Sequence, residues 1–362
     1  MKPRPPFLRN WRALEPKAPA PSASGEQMGY MASFADATGL SRLKIAHLRL
    51  QPGARSNVPG AYRDEEEFFF VLEGAPDLWI DGHLHGLREG DGIAFNDRTG
   101  IAHTLINNTD ADVRLFVFGE ATRLRSQFHL PLPADAESNA TLKAMGKLWQ
   151  DPPRRKLGPN TARAGDTTGR KRARPDYVAH WRDILEKDEG SYPGSLEPHG
   201  IDAPFGRRAR FSRIGIHLEV LPAGRRTSWP HAERDEEEFV YVVQGAVDAW
   251  IDGHLHPMRE GDFVGFEART NITHVVINNS GEDALLLVGG EANRQRNQFW
   301  YPYHPHRDKE IGKDLWFDHP KPKLGPHDGL PDAVRDRLPK AARKNPVAAN
   351  RAAMKLKAIR TK

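Results

Sequence analysis

The sequence contains no cysteine among its 362 residues. This absence excludes disulfide bonds, thiolate metal sites, iron–sulfur clusters and cysteine nucleophiles. The sequence also lacks any apolar run near the ~20 residues that a membrane-spanning helix requires, and residues 1–27 hold no uninterrupted apolar stretch of signal-peptide length. We therefore expect a cytoplasmic protein that has no membrane partner.

Positive charge is concentrated in two segments, although the net charge of the chain is +5. Residues 154–174 carry eight Lys or Arg against one acidic residue, and residues 331–362 carry ten against two, so the remaining chain has a net charge of −10. A basic linker and a basic tail attached to acidic folded parts do not form the basic surface that nucleic-acid recognition needs. The sequence predicts no nucleic-acid partner.

The chain contains an internal duplication. Residues 63–91 align without gaps to residues 234–262, with 21 of 29 positions identical at an offset of 171. The match extends outward at the same offset, for example from His103 to His274 and from Asn107 to Asn278. A repeat of this length predicts two copies of one folded unit.

Short β-branched and aromatic runs separated by Gly and Asp-Gly turns fill both copies, which is typical of antiparallel strands. We predict an all-β fold of two tandem jelly-roll barrels with short flanking helices. The tail is expected to form a loose helix or to be disordered. The predicted segments are an N-terminal arm (1–34), an N-terminal barrel (35–160), a basic linker (161–176), a C-terminal barrel (177–330) and a basic tail (331–362).

Four residues of metal-ligand type occur in the C-terminal copy: His231, Glu233, Glu238 and His274. Side chains at i and i+2 of a strand share a face, so His231 and Glu233 can point into a barrel together. Glu238 can join them from the next strand, and His274 from a distant one. Two imidazoles and two carboxylates suit one divalent ion, namely Fe, Mn, Ni, Co or Zn.

The same residues resemble the two sequence motifs of the cupin superfamily, namely His231-x-Glu233-x4-Glu238-x6-Gly245 and His274-x3-Asn278. The chain looks like a bicupin, with two cupin barrels in one chain, and is similar to uncharacterised cupin-domain proteins. The resemblance implies that His231, Glu238 and His274 bind a metal inside the barrel. Glu233 stands where most metal-binding cupins have a second histidine, so its ligand role is implied only by substitution.

The N-terminal copy lacks half of this set. Gly60 and Tyr62 occupy the positions of His231 and Glu233, while Glu67 and His103 remain. Two ligands do not usually hold a metal, so we predict a degenerate site there. The RDEEE run is present in both copies, and part of it must therefore serve another purpose.

Three further residues of the C-terminal copy are candidates for substrate binding. Trp229 and Phe266 could form pocket walls, and Asn278 could orient a substrate. A buried Asn278 that satisfies loop backbone groups is an equal alternative.

Together these features predict a metal-dependent enzyme that acts on a small polar organic molecule. Two carboxylates would cancel the charge of a divalent ion and favour the oxidised state of iron or manganese, which ranks oxygenase chemistry first. Lyase, isomerase or decarboxylase chemistry on the same metal ranks second, because one fold hosts many reactions. Glu238 and Glu233 are the candidate catalytic bases.

The alternative is a non-catalytic small-molecule-binding or sensor protein with a structural metal. The sequence shows no helix-turn-helix domain that a sensor of gene regulation would carry. Either a monomer or a homodimer is expected, because two units in one chain already bury what two single units would bury between them.

Overall fold

The computed structural model describes residues 3–19, 27–123, 125–133, 136–292 and 297–357. Strands dominate and the helices are short, which confirms the predicted all-β class with flanking helices. Among the described residues, no helix is long and apolar enough to cross a membrane.

The strands of the first half are β1 (Leu8–Asn10), β2 (Tyr30–Ser33), β3 (Leu43–Leu50), β4 (Ala61–Tyr62), β5 (Glu67–Glu73), β6 (Asp77–Ile80), β7 (His83–Gly86), β8 (Asp91–Phe95), β9 (His103–Ile106), β10 (Val113–Glu120), β11 (Phe128–His129) and β12 (Arg170–Lys171). Those of the second half are β13 (Val178–His180), β14 (Ile201–Ala203), β15 (Ile214–Leu221), β16 (Ala232–Glu233), β17 (Glu238–Gln244), β18 (Ala246–Ile251), β19 (His254–Arg259), β20 (Asp262–Phe266), β21 (His274–Ile277), β22 (Ala284–Glu291) and β23 (Phe299–Trp300). The α-helices are α1 (Trp11–Leu14), α2 (Phe34–Thr38), α3 (Ala136–Ala144), α4 (Phe205–Ala209), α5 (Asp308–Ile311), α6 (Asp332–Arg337) and α7 (Pro346–Ala353), and single 3₁₀ turns lie at Trp181–Asp183, Pro305–Arg307, Gly312–Asp314 and Ala342–Lys344.

Each half of the chain forms a jelly roll in which a six-stranded sheet packs against a smaller one. The larger sheet of the N-terminal unit has the strand order β13-β8-β5-β10-β3-β2, and the smaller one the order β12-β7-β6-β9. The C-terminal unit repeats this plan, with β1-β20-β17-β22-β15-β14 against β19-β18-β21. The interior of each unit, which holds its own apolar core, lies between its two sheets.

The two units complete each other's larger sheets. Strand β1 of the N-terminal arm pairs antiparallel with β20 in the C-terminal unit. Strand β13, which follows the linker, pairs in the same way with β8 in the N-terminal unit. Strand β1 of the arm therefore belongs to the larger C-terminal sheet, whereas β2, at the end of the same arm, pairs with β3 in the N-terminal unit. Strand β13 belongs to the larger N-terminal sheet.

A third core lies between the two large sheets and joins the units. Along β5, Phe68 and Phe70 face this shared core, whereas Phe69 and Val71 face the interior of their own unit. Because both faces of the strand are buried, its sequence is an uninterrupted apolar run, without the alternation of a half-exposed strand. Helices α2 and α4 add Phe34 and Phe205 to the same core.

Two equivalent glutamates of the RDEEE runs connect the units reciprocally. Glu66 accepts hydrogen bonds from the backbone of Ser212, Arg213 and Ile214, at 2.8 to 3.1 Å. Glu237 accepts equivalent bonds from the backbone of Ser41 and Arg42, at 2.9 and 3.1 Å. The middle one of the three glutamates in each run therefore connects the two units, which explains why both copies keep the run although only one has the full set of candidate ligands.

The basic linker packs on the N-terminal unit. Its strand β12 pairs with β7, and Arg170 and Arg174 form bidentate ion pairs with Asp77 and Asp91, both buried. The positive charge of the linker is thus matched to acidic residues of the folded unit.

The tail is helical in its described part, as one of the two expectations had it, but its helices are packed and not loose, and residues 331–357 are not disordered. Helices α6 and α7 share a small apolar core that includes Val334, Leu338 and Ala349. Fully buried Arg226 of the C-terminal unit donates to Asn350 of α7 at 2.9 Å. The tail is therefore part of the C-terminal unit.

The Asp-Gly hairpin turns are confirmed. Asp252 and Gly253 both have positive φ angles, 45° and 83°, as a type I′ turn requires. In the N-terminal unit Asp81 and Gly82 repeat them.

We predict that Glu66→Gln destabilises the whole protein. In the wild type the backbone N–H groups donate to a carboxylate, whereas in the variant some of them would face the NH₂ group of the glutamine amide. Loss of charge-assisted hydrogen bonds at this buried position should lower the free energy of unfolding by about 2–3 kcal/mol, measured by urea denaturation. Glu237→Gln should behave alike, and Glu73→Gln, at a mostly exposed side chain, should change stability little. A Glu66→Gln effect no larger than that of Glu73→Gln would contradict this assignment.

Candidate metal centre

Three predicted ligands converge in the interior of the C-terminal unit. His231 and His274 are directly opposed and exchange both backbone hydrogen bonds, at 3.2 and 2.8 Å, which places their side chains on one face. Glu238 begins the central strand β17 beside them. One nitrogen of each imidazole and one carboxylate oxygen all lie within 4.8 Å of one another.

The backbone fixes the orientation and protonation of both imidazoles. Nδ1 of His231 lies 2.8 Å from the carbonyl of Trp229, and Nδ1 of His274 lies 3.1 Å from the carbonyl of Ile272. A carbonyl only accepts, so each Nδ1 carries the hydrogen and the Nε2 atoms face the centre. Burial, and then the neighbouring His274, lowers the pKa of His231 to about 4, so His231 is neutral at pH 7.

These atoms fit a bound cation. Oε2 of Glu238 is buried without a hydrogen-bond partner, 3.1 Å from Nε2 of His274 and 3.9 Å from Nε2 of His231. A proton between His274 and Glu238 would satisfy only these two atoms, whereas a divalent ion would satisfy all three. Two imidazoles and one carboxylate are ligands that first-row divalent ions prefer.

Glu233, the fourth predicted ligand, lies at the edge of this group. Its Oε1 is 3.8 Å from Nε2 of His231, and its Oε2 accepts a hydrogen bond from Asn297. Burial, and then the nearby carboxylates of Glu238 and Glu236, raises the pKa of Glu233 well above its usual range. Glu233 is not among the three residues that converge, and its role as a ligand stays a prediction. No sequence pattern pointed to the contact of Asn297 with Glu233, because the two residues lie 64 positions apart.

Trp229 lies in the core and not at a pocket wall, contrary to our expectation. Its indole is fully buried and stacks between Tyr192 and His304, at centroid distances of 4.0 and 3.8 Å. Its Nε1 donates to Glu197 at 3.0 Å. Trp229 contributes to the centre through its carbonyl, which orients His231.

Phe266 and Asn278 also support the structure around the centre. The Phe266 ring stacks on the imidazole of His274, with 3.6 Å between the ring centroids and 9° between the ring planes, and so fixes the orientation of this imidazole. Both donor hydrogens of the Asn278 amide are used by the carbonyls of Leu221 and Glu282, each at 2.8 Å. These hydrogen bonds brace the loop, as the alternative interpretation of Asn278 expects, and a role in substrate binding stays a prediction.

The degenerate site of the N-terminal unit keeps the same frame. His103 opposes Gly60 through a backbone pair, and its ring stacks on Phe95 at 3.7 Å. Nε2 of His103 lies 3.4 Å from Oε2 of Glu67. Gly60 and Tyr62 stand at the positions of His231 and Glu233, so this site has only the imidazole of His103 and the carboxylate of Glu67.

Lys44 supplies the positive charge in this unit, which sequence reasoning missed. Its Nζ lies 3.8 Å from Oε1 of Glu67 and 5.6 Å from the centre of the Tyr62 ring. At the offset of 171, Lys44 corresponds to Gly215, and a Cβ added at Gly215 would meet nothing within 4 Å. The lysine thus occupies a position in the N-terminal unit at which the C-terminal unit has only a glycine. A comparison of the two copies could have found this difference.

The sequence profile described as Cupin domain matches two segments of the chain, residues 46–119 and 217–289. Each segment covers the central strands of one unit. The chain therefore carries two cupin domains and is a bicupin, as the sequence resemblance implied.

Solved structures agree at the level of the fold. A variant of oxalate decarboxylase from Bacillus subtilis has 16% sequence identity and a TM-score of 0.51, over 88% of this chain and 86% of that chain. The protein Ylba from E. coli has 12% identity and a TM-score of 0.50, over 79% of this chain and 90% of that chain. No curated protein sequence gave a significant match.

We predict that His274→Ala removes bound metal without unfolding the protein. Loss of a partner behind a ligand typically costs 10–100-fold in affinity, so loss of a ligand itself should weaken binding by at least about 100-fold. The measurement is metal content per chain after dialysis, with circular dichroism as the test of folding. The matched variant His103→Ala should leave the metal content unchanged, and equal losses in both variants would contradict the asymmetry of the two units.

We also predict that Gly215→Lys displaces the metal. A Cβ at this position would meet nothing within 4 Å. The new lysine should approach Glu238 as Lys44 approaches Glu67, so that its ammonium group repels a divalent ion. Metal content should fall to the level of His274→Ala while the protein stays folded. Gly215→Ala should retain the metal, and a Gly215→Lys variant with full metal content would show that Lys44 is no substitute for the ion.

Proposed function

We propose that this bicupin is a metal-dependent enzyme that acts on a small polar organic molecule in its C-terminal unit, with oxygenase chemistry as the leading reaction class. The observation that supports it is the convergence of two imidazole nitrogens and one carboxylate oxygen, from His231, His274 and Glu238. Two histidines and one carboxylate with open positions are typical of non-haem iron oxygenases.

In this proposal His231, Glu238 and His274 would hold the ion on one side. A bound divalent iron would supply coordination positions for dioxygen and substrate, and the chemistry of electron transfer between them. The contacts of His231 with the Trp229 carbonyl and of His274 with Phe266 would keep both imidazoles in place during turnover. The orientation of the two imidazoles would thus be set by the rigid strands of the unit.

Glu233 is the residue we propose for proton transfer. Its Oε1 lies beside the ligand His231, and Asn297 holds its Oε2. A carboxyl group in this position can exchange a proton with a substrate bound next to the ion.

A second candidate is a lyase, in particular a decarboxylase, on the same metal. Its support is the similarity of fold to oxalate decarboxylase, together with a carboxyl group, Glu233, beside the three converging ligands. Solved structures of that enzyme contain Mn(II) centres. The two candidates differ in their need for dioxygen.

The test measures oxygen uptake and carbon dioxide release by protein loaded with Fe(II), Mn(II) or Zn(II), over a panel of small carboxylic and hydroxy acids. We expect substrate-dependent oxygen uptake with Fe(II), and none with Zn(II) or in His274→Ala. Glu233→Gln should keep the metal and lose at least about 100-fold in kcat, the lower end of the range for general acid–base catalysis.

Carbon dioxide release without oxygen uptake would favour the decarboxylase. Metal binding without turnover of any compound, combined with tight binding of one of them, would contradict both candidates and favour a sensor.

A further inference from the structure

A second group of metal-ligand residues lies apart from the centre described above. It consists of Asp202 on β14 and of His217 and Glu219 on β15. His217 and Glu219 alternate along one strand and so share a face, and Asp202 is the direct cross-strand partner of Glu219. One atom from each residue lies within 4.8 Å of the other two, with Nε2 of His217 at 3.7 Å from Asp202 and 3.9 Å from Glu219.

These side chains face the interior of the C-terminal unit. Along β15, Ile216 and Leu218 point into the core between the units, whereas Leu221 points into the core of the C-terminal unit itself. His217 and Glu219 have the parity of Leu221 and therefore point inward. They lie near the open edge of the sheet, because β14 is its last strand.

Glu219 has a buried carboxylate whose nearest cationic partner is the imidazole of His217. The residue is 3% exposed, and its Oε1 has no hydrogen-bond partner. Among the described residues, no lysine or arginine forms an ion pair with Asp202 or Glu219. Such a group is costly to bury unless a cation or a proton compensates it.

The N-terminal unit shows that the fold does not require these residues. Met31, Ala46 and Leu48 occupy the equivalent positions at the offset of 171, and Met31 pairs with Leu48 as Asp202 pairs with Glu219. Three apolar residues thus fill the place that one imidazole and two carboxylates fill in the other copy. The polar set occurs in the unit that carries the candidate metal centre.

We propose that Asp202, His217 and Glu219 form a second divalent cation site, separate from the centre at His231, Glu238 and His274. The buried carboxylate of Glu219 would be the inner ligand. The side chains of His217 and Asp202 are 30% and 42% exposed, which gives an ion a path from solvent and leaves room for bound water. One nitrogen and two oxygen ligands fit a first-row divalent ion such as zinc.

The experiment counts Zn²⁺ ions per chain by elemental analysis and by calorimetric titration of the full-length protein. Wild type should bind two ions. His217→Ala and Asp202→Asn should each bind one, and so should His274→Ala, which removes the other ion. A double variant of His217→Ala and His274→Ala should bind none.

A triple variant tests the same site independently, in case one of the single variants misfolds. It places the residues of the N-terminal unit at the equivalent positions, by Asp202→Met, His217→Ala and Glu219→Leu, and should fold because that unit accommodates them. It should bind one Zn²⁺. Because it lacks the second site, it should not show the rise in melting temperature that filling this site causes in the wild type.

The outcomes separate this proposal from the proposed function. Two ions in both His217→Ala and the triple variant would overturn the second site. One ion in wild type that is lost only in His274→Ala would overturn it as well, and would leave the proposed function intact. One ion that is lost in His217→Ala but kept in His274→Ala would support the second site and contradict the metal centre on which the proposed function depends.

Discussion

Each unit carries a glutamate at the start of a central strand, Glu67 or Glu238, whose carboxylate points inward beside a histidine and needs a positive charge. An uncompensated charge in such surroundings costs several kcal/mol, so the compensation is part of the design of the fold. In the N-terminal unit the ammonium group of Lys44 lies near Glu67. In the C-terminal unit Gly215 leaves the equivalent space open, and His231 and His274 converge on Glu238. One scaffold therefore meets the same requirement with a lysine in one copy and with a candidate metal ion in the other.

The duplicated scaffold keeps this difference local. The units share a core of aromatic side chains, exchange strands β1 and β13, and are connected by the reciprocal contacts of Glu66 and Glu237. These features are nearly symmetric, so they place no constraint on which unit carries chemistry. The N-terminal unit can act as a structural partner, while substitutions at a few inward-facing positions decide the properties of each interior.

Much of the fold and of the centre was predictable from the sequence. The offset of 171 and the strand periodicity indicate two jelly rolls, and the spacing of His231, Glu238 and His274 identifies the three residues that converge. The role of Lys44 could also have been predicted, because the aligned position in the other copy is a glycine.

Other features depended on contacts that no local pattern encodes. Trp229 was expected at a pocket wall but is enclosed by Tyr192 and His304, which are distant in sequence. The folded tail depends on Arg226, which reaches Asn350 from the middle of the C-terminal unit. Sequence periodicity reports which faces of a strand are apolar, and it does not report which distant segment covers them.

We thus assign the positive charge beside the two glutamates to a lysine in one unit and to a metal ion in the other. Anomalous X-ray diffraction from crystals of the metal-loaded protein, at the absorption edge of the bound metal, is the decisive test of this assignment. We expect a peak between the side chains of His231, Glu238 and His274, and none beside Glu67 and His103. A peak in the N-terminal unit next to Lys44, or the absence of a peak between the three ligands of the C-terminal unit, would contradict it.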